Sequence, residues 1–428
     1  MRGSKSWLGV VVAGALLVTA CGGDDDDASS TPTEGTEAPV STEAPESTEA
    51  PEPTEAAEET TTTVELTGEP VKIFVLYEGS GAVATPEVPD GAIAAAEALN
   101  RSGGLDGSPI EIVECDLAND PNTARECGQQ AIDEGAVAVV GPVSANSGEF
   151  LPLLEAAQIP VVGNVPASAA DFSSAASFPL YGGIVTASAG LADVLASDAG
   201  ATKISLARID LAAAAAIAIY ANMALARSGL AVGNDVSIPV GAPDMATYVA
   251  AALEGGTDGV LVGLSGQDAT NFIIQLRQTA PDVPISATTT EFASVVEALG
   301  DAADGIYVTG FFDDATSNPE GWEQYVSDME AAGFDDLSGF RTNSYSAVQL
   351  VAEVLGGLDD KTGPALYAAL PTVDGIDLPL LPPIQFVKGG VGGVPRLFNP
   401  CGLYRQLQDG EFVTLSDGFF DMLTGEPC

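Results

Sequence analysis

The feature that most constrains the fold is a rhythm that starts at Val71, where strand-like and helix-like segments begin to alternate over the remaining 358 residues. Val71-Lys72-Ile73-Phe74-Val75-Leu76-Tyr77 is a near-continuous apolar run with β-branched residues, the pattern of a strand covered on both faces. A helical pattern over 89–100 stops at Gly103-Gly104, and strand 110–115, helix 122–133, strand 137–141, helix 149–157 and strand 159–163 follow. The second half repeats the pattern. Strands over 203–207, 236–240, 259–263 and 305–309 alternate with helices near 212–228, 245–253, 268–279 and 292–299. Helices near 320–332 and 344–355 come later, and the C-terminal part reads as short strands and turns. This alternation argues for an α/β fold with parallel sheets and helices on both faces, and the length suits two such lobes better than one. Pockets in that architecture lie at the carboxyl ends of strands, often between domains.

The chain before Val71 has a different character. Residues 1–21 carry a basic pair, Arg2 and Lys5, then an apolar stretch over 7–17 of the length a secretory signal needs. Leu17-Val18-Thr19-Ala20-Cys21 follows, with Gly22-Gly23 behind it. It resembles a bacterial lipobox, in which Cys21 receives a diacylglyceryl anchor. An ordinary signal cut near Ala20, with Cys21 incidental, is the alternative, but the cysteine's position and the acidic segment behind it favour the lipobox. Two or more acyl chains hold a soluble domain stably on a membrane, at about 0.8 kcal/mol per buried CH₂. Residues 22–70 hold fifteen acids and no base, and Thr-Glu-Ala-Pro recurs at Thr36, Thr42 and Thr48. With no apolar position to stack, this repeat cannot form a solenoid, so the segment is expected to be a disordered, self-repelling linker.

Charge and composition exclude several functions. The chain has 61 acids against 14 bases, a formal −47, and no histidine. A field of that sign repels a phosphate backbone, so nucleic-acid binding is not expected. The missing histidine removes Ser-His-Asp triads and HExxH zinc helices. There is no GxxxxGK loop, no GxGxxG fingerprint behind a strand and no GxSxG elbow. No cofactor, no metal and no catalytic residue is therefore expected.

Several motifs carry a family resemblance. Leu99-Asn100-Arg101-Ser102-Gly103-Gly104-Leu105-Asp106-Gly107 has the form N-x-x-GG-x-x-G between a helix and a strand. Asp120-Pro121-Asn122 opens a helix, and Val139-Val140-Gly141-Pro142-Val143-Ser144 ends a strand in a loop. Ile159-Pro160-Val161-Val162, Ala167-Ser168-Ala169, Phe398-Asn399-Pro400 and Asp409-Gly410-Glu411-Phe412 follow in order. In content, order and spacing these resemble the type I periplasmic binding proteins, in the leucine/isoleucine/valine-binding branch of ABC transporter solute receptors. The resemblance implies two Rossmann-like lobes joined by a three-stranded hinge that close over a small ligand. Lobe 1 is expected over 71–189 and 314–380, and lobe 2 over 190–313 and 381–428.

The same resemblance implies a binding site. The loops at Ser144, Ala145 and Asn146, and at Pro166 and Ser168, would hold a ligand carboxylate with backbone N–H and hydroxyl groups. Physically, Ser147–Glu149 is a helix start, where free N–H groups and the macrodipole favour an anion. The plainer reading of Ser144, Ser147 and Ser168 is that they cap helices or form turns. On the opposite lobe the chain departs from the amino-acid receptors. Their two ligand-packing aromatics fall on Ala213 and Ser265, and the acid that pairs the ligand ammonium falls on Thr289; Glu291 substitutes for it if the loop shifts by two residues, or else is a solvent-facing helix start. Asp313-Asp314 lies near an expected crossing and reads as a solvated loop.

Four cysteines remain beyond Cys21, and an even count in an exported chain suggests disulfides with three possible pairings. Cys115 at a strand end and Cys127 on the next helix favour a local bridge, leaving Cys401 with Cys428 to pin the C-terminus. The expectation is thus a monomeric, lipid-anchored, extracytoplasmic solute-binding protein that delivers a small polar ligand (a branched-chain amino acid or related amide or acid) to an ABC permease. A surface sensor without transport role and an exported hydrolase on a similar fold are the alternatives.

Overall fold

The computed structural model describes residues 66–80, 84–211, 214–288, 293–391 and 393–428. The expected signal segment and nearly all of the linker lie outside these residues. Among the described residues no helix is long and apolar enough to cross a membrane.

The first sheet holds β1 (Val71–Tyr77), β2 (Ile110–Asp116), β3 (Ala138–Val140), β4 (Val161–Val162) and β5 (Ser177–Phe178), all parallel, in the order β2-β1-β3-β4-β5. Their connections are α1 (Val88–Arg101), α2 (Pro121–Asp133) and α3 (Ser147–Ala157). Ile73 to Leu76 on β1 are fully buried because the strand feeds two cores by turns. Ile73 and Val75 pack on one face with Ala92 and Ala95 of α1, and Phe74 and Leu76 pack on the other with Phe150, Leu151 and Leu154 of α3. The Gly-Gly turn after α1 is held by the Asn100 side-chain amide, which donates to Ile110 O at 2.9 Å and accepts from Ile110 N–H at 2.8 Å. Gly104 there has φ +62°, a conformation that disfavours other residues. Asp120 caps α2 through the N–H groups of Asn122 and Thr123, and Pro121 occupies its first turn.

The second lobe begins with α4 (Gly183–Ser197), followed by β6 (Ile204–Ile209), α5 (Ala215–Leu225), β7 (Asp235–Ile238), α6 (Ala246–Ala252), β8 (Gly259–Gly263), α7 (Gly266–Thr279), β9 (Ile285–Ala287), α8 (Ala293–Leu299) and β10 (Tyr307–Gly310). The chain then returns to the first lobe as α9 (Pro319–Ala331), α10 (Arg341–Gly356), α11 (Gly363–Ala369) and the hairpin β11 (Asp374–Leu378) with β12 (Leu381–Gln385). It ends in the second lobe as β13 (Cys401–Gln408), β14 (Glu411–Thr414) and β15 (Phe420–Asp421). The second sheet runs β14-β13-β10-β9-β8-β6-β7, with β15 on β13, parallel from β10 to β7 and antiparallel at β13.

Packing places the crossings differently from the expected boundaries. The boundary after 189 falls inside α4, which packs throughout on α5 and the second sheet, so the first crossing precedes Gly183. The boundary after 380 falls inside the β11–β12 hairpin. Leu381, Ile384 and Phe386 pack into the core that holds Tyr345 and Val348 of α10, so the last crossing leads into β13. The body also begins before Val71, since the N–H groups of Thr67 and Gly68 both donate to Gly107 O. Two cysteine pairs sit at bonding distance. Cys115 and Cys127 have Cα atoms 5.8 Å apart and tie the end of β2 to α2, and Cys401 and Cys428, 6.3 Å apart, tie β13 to the C-terminus.

Candidate functional site

Both β5 and β10 enter crossings at their carboxyl ends, so in each lobe the strand-end loops lie on the side of the sheet from which the chain crosses. The crossings are packed together by aromatic rings. Tyr181 is stacked on Phe311 at 4.4 Å between centroids and meets Phe312 edge-on at 5.6 Å. Asp314 is not a solvated loop residue. It pairs with Arg405 of β13 at 3.0 Å and accepts from the Ser317 N–H at 3.0 Å and the Thr316 hydroxyl at 2.7 Å. Burial works against its charge, but Arg405 and these bonds hold its pKa below the ordinary value.

The first-lobe candidates come together. β3 and β4 are neighbours, so the loop with Ser144, Ala145 and Asn146 lies beside the one with Pro166 and Ser168, and Val165 N–H donates to Pro142 O at 2.9 Å between them. The Pro166 loop also meets the first crossing. Gly183 has φ +55°, and a Cβ there would lie 2.5 Å from Pro166 O, so only glycine lets the chain pass. Of the second-lobe candidates, Ser265 is exposed beyond β8 as the N-cap of α7, without a side-chain capping bond. Thr289 and Glu291, together with Ala213, lie outside the described residues.

Two carboxylates that the sequence reading missed organise the first-lobe loops. Glu78, immediately after β1, is fully buried. Its carboxylate accepts the Ser144 hydroxyl at 2.5 Å and the Asn119 N–H at 2.5 Å. Ser144 Oγ in turn accepts from Asn146 N–H at 3.0 Å, and Ser147 Oγ donates to Ser144 O at 2.9 Å. Asp171, also fully buried, accepts from Ser168 N–H at 2.8 Å and Ala167 N–H at 3.3 Å, while its own N–H donates to Ser168 Oγ at 3.4 Å. That reciprocal pair has the bonding of a capping box, but it closes a turn and no helix follows. Asn164 Nδ2 donates to the other Asp171 oxygen at 3.0 Å. Burial pushes the Asp171 pKa up, with the hydrogen bonds from Ser168 and Ala167 opposing it. Ser168 followed three residues later by an acid was a legible capping signal. Among the described residues no three His, Cys, Asp or Glu side chains are grouped to hold a metal ion.

Comparison with known proteins bears on this geometry. A family model described as periplasmic binding protein matches residues 70–393. No curated protein sequence matches the chain. An extracellular ligand-binding receptor from Verminephrobacter eiseniae is similar in structure, with a TM-score of 0.68 at 19% identity, over 80% of this chain and 99% of that one. The branched-chain amino acid transporter substrate-binding protein LivJ from Streptococcus pneumoniae, in complex with isoleucine, gives 0.67 at 18% identity, over 81% of this chain and 100% of that one. An ABC transporter solute-binding protein from R. palustris in complex with 4-hydroxybenzoate gives 0.66 at 18% identity, over 82% of this chain and 97% of that one. At such identities the likeness establishes the two-lobed fold.

Proposed function

The chain belongs to the periplasmic binding protein family, and on that premise we propose that it is a lipid-anchored extracytoplasmic receptor of an ABC importer. It captures a small polar ligand between its lobes, in the class of branched-chain amino acids and related amides or acids, and presents it to a membrane permease. The observation that supports this reading is that two sheets each lead from strand carboxyl ends into the crossings, and on it we assign Ser144, Ala145, Asn146, Pro166 and Ser168 to one side of the ligand and Ser265 to the other. A ligand stabilises the closed arrangement only through contacts made to both lobes. Cys21 anchors the chain to the bilayer, and the acidic 22–70 segment links that anchor to the body. The body acts as a monomer.

A thermal-shift screen of the mature chain against amino acids, amides, short acids, purines and polyols tests the proposal. A ligand at 100 times its Kd adds about 2.7 kcal/mol. Stoichiometric recovery of the bound compound supports a receptor, and its turnover points to an exported hydrolase instead. Cys21→Ser is expected to release the protein from the membrane fraction; continued membrane association would refute the anchor.

A further inference from the structure

β5 lies at the end of the first sheet, so one of its edges has no strand beside it. On the paired edge, Val161 N–H donates to Ala176 O at 2.8 Å and Gly163 N–H to Phe178 O at 2.9 Å. The alternate carbonyls, Ala175 O and Ser177 O, face the open edge, and one side chain takes both. Arg396 Nε donates to Ser177 O at 2.6 Å and Nη2 to Ala175 O at 3.2 Å. Its guanidinium also lies over Phe178 and Phe398, 4.3 and 4.6 Å from the ring centroids. Two carbonyls on one edge between two aromatic faces suit a planar fork, which lysine lacks. Burial pushes the Arg396 pKa down to about 10, so the group stays charged at neutral pH.

Arg396 belongs to the last crossing, between the β11–β12 hairpin and β13. Its own N–H donates to Phe172 O at 3.2 Å. The next residue, Leu397, lies against the first crossing, where a Cβ on Gly182 would come within 2.5 Å of it. From Ser177 the bonds run on to the loop that holds Pro166 and Ser168. The Ser177 hydroxyl donates to Asp171 O at 2.7 Å and accepts from Asn164 Nδ2 at 2.9 Å. Asn164 Nδ2 also donates to one oxygen of the Asp171 carboxylate, and the other oxygen holds the N–H groups of Ala167 and Ser168. Ser177, Asn164 and Asp171 are all buried, so a partner lost from this series is not replaced by bulk water.

Resting on the receptor reading above, we infer that Arg396 is a positioning residue: from the last crossing it fixes the Ala167–Ser168 loop through Ser177, Asn164 and Asp171. The loop that this reading gives to the ligand is thereby tied to a segment that must bend when the lobes close. Coupling of this kind is reciprocal, so loosening the loop also loosens the crossing. Arg396 acts through Ser177 and does not itself touch the ligand.

Amide hydrogen exchange on the ligand-free mature chain, read residue by residue, tests this. Arg396→Lys, which keeps the charge but not the fork, is expected to speed exchange of the Ala167 and Ser168 N–H groups about tenfold, the scale of one lost hydrogen bond, and to leave β1 and β8 unchanged. Ser177→Ala cuts the series in its middle with Arg396 in place, and decides the matter should the first variant fold poorly. It is expected to speed exchange at Ala167 and Ser168 and, in the other direction, at the Arg396 N–H. Unchanged exchange at Ala167 and Ser168 in Arg396→Lys overturns the inference. Equal acceleration in β1 and β8 also overturns it, since that marks a loss of global stability, and so does an unchanged Arg396 N–H in Ser177→Ala. None of these outcomes touches the receptor reading, which falls instead if the thermal-shift screen finds no ligand for the wild type.

Discussion

At the carboxyl ends of its strands the first lobe is polar, buried and internally bonded, whereas the second is open and partly apolar. Glu78, Ser144 and Asp171 are all buried, and each has its partners within the lobe. In the second lobe Leu211, just past β6, is 53% exposed, and Val240, just past β7, is 67% exposed. Ile219 and Met223, one turn apart on α5, are exposed too. The contrast separates two tasks. The first lobe holds its hydrogen-bonding groups in place before any ligand arrives, which favours selectivity because little ordering cost is left for binding. The second leaves these apolar side chains in water, and covering one fully is worth about 1.5–3 kcal/mol.

The largest expected effects concern the two cores. Phe150→Ala in the first lobe and Phe272→Ala in the second each remove a fully buried ring, and each is expected to cost about 3–5 kcal/mol in urea unfolding. A loss below about 1 kcal/mol in either would mean that its core is not close-packed as described. Next come the cysteine pairs, one in each lobe. Replacing Cys115 and Cys127 by Ser, or Cys401 and Cys428 by Ser, is expected to cost about 3 kcal/mol on the chain-entropy model. Full labelling of the wild type by a thiol reagent without denaturant would show that the pairs are not oxidised.

A pH profile sharpens the contrast between the first-lobe wall and the crossing. Burial raises the Asp171 pKa above its ordinary 3.8, so the folded state holds this proton more tightly than the unfolded state. Its contribution is therefore full below pH 3.8 and is lost as pH rises through the raised folded value. Asp171→Asn should remove that decline, and parallel wild-type and variant profiles would contradict the assignment. Asp314 at the crossing has the opposite sign. With its pKa lowered, it contributes stability above 3.8 that is lost as pH falls through the folded value. The smallest effect is expected at Ser265→Ala, where no capping bond is lost and stability should move by no more than about 0.5 kcal/mol. A larger loss would mean that the second-lobe strand ends are bonded as firmly as those of the first.

The alternation of strands and helices was legible because most elements present one clear period. The strand expected from Val71 to Tyr77 and the one over 259–263 match β1 and β8, and most helix bounds fall within a few residues. What escaped has a physical reason. α4 has eleven of its fifteen residues buried, so no polar face marks it as a helix. That concealment moved the expected lobe boundary into the middle of α4. β9 spans three residues and β5 two, too short for any period to show. At the site, the loops were located by strand ends and by resemblance, but the bonding inside them was not. Glu78 meets Ser144 across 66 positions of sequence, a pairing that no local pattern encodes. Asp171 was the reverse case, a local capping signal hidden under the ligand role given to Ser168.

Closure of one lobe on the other around a ligand is the central claim, and small-angle X-ray scattering of the mature chain tests it most directly. The measurement compares the free protein with the protein saturated by whichever compound raises its Tm most. The account predicts a smaller radius of gyration in the complex, reversed when the compound is dialysed away. An unchanged radius at proven saturation would contradict it.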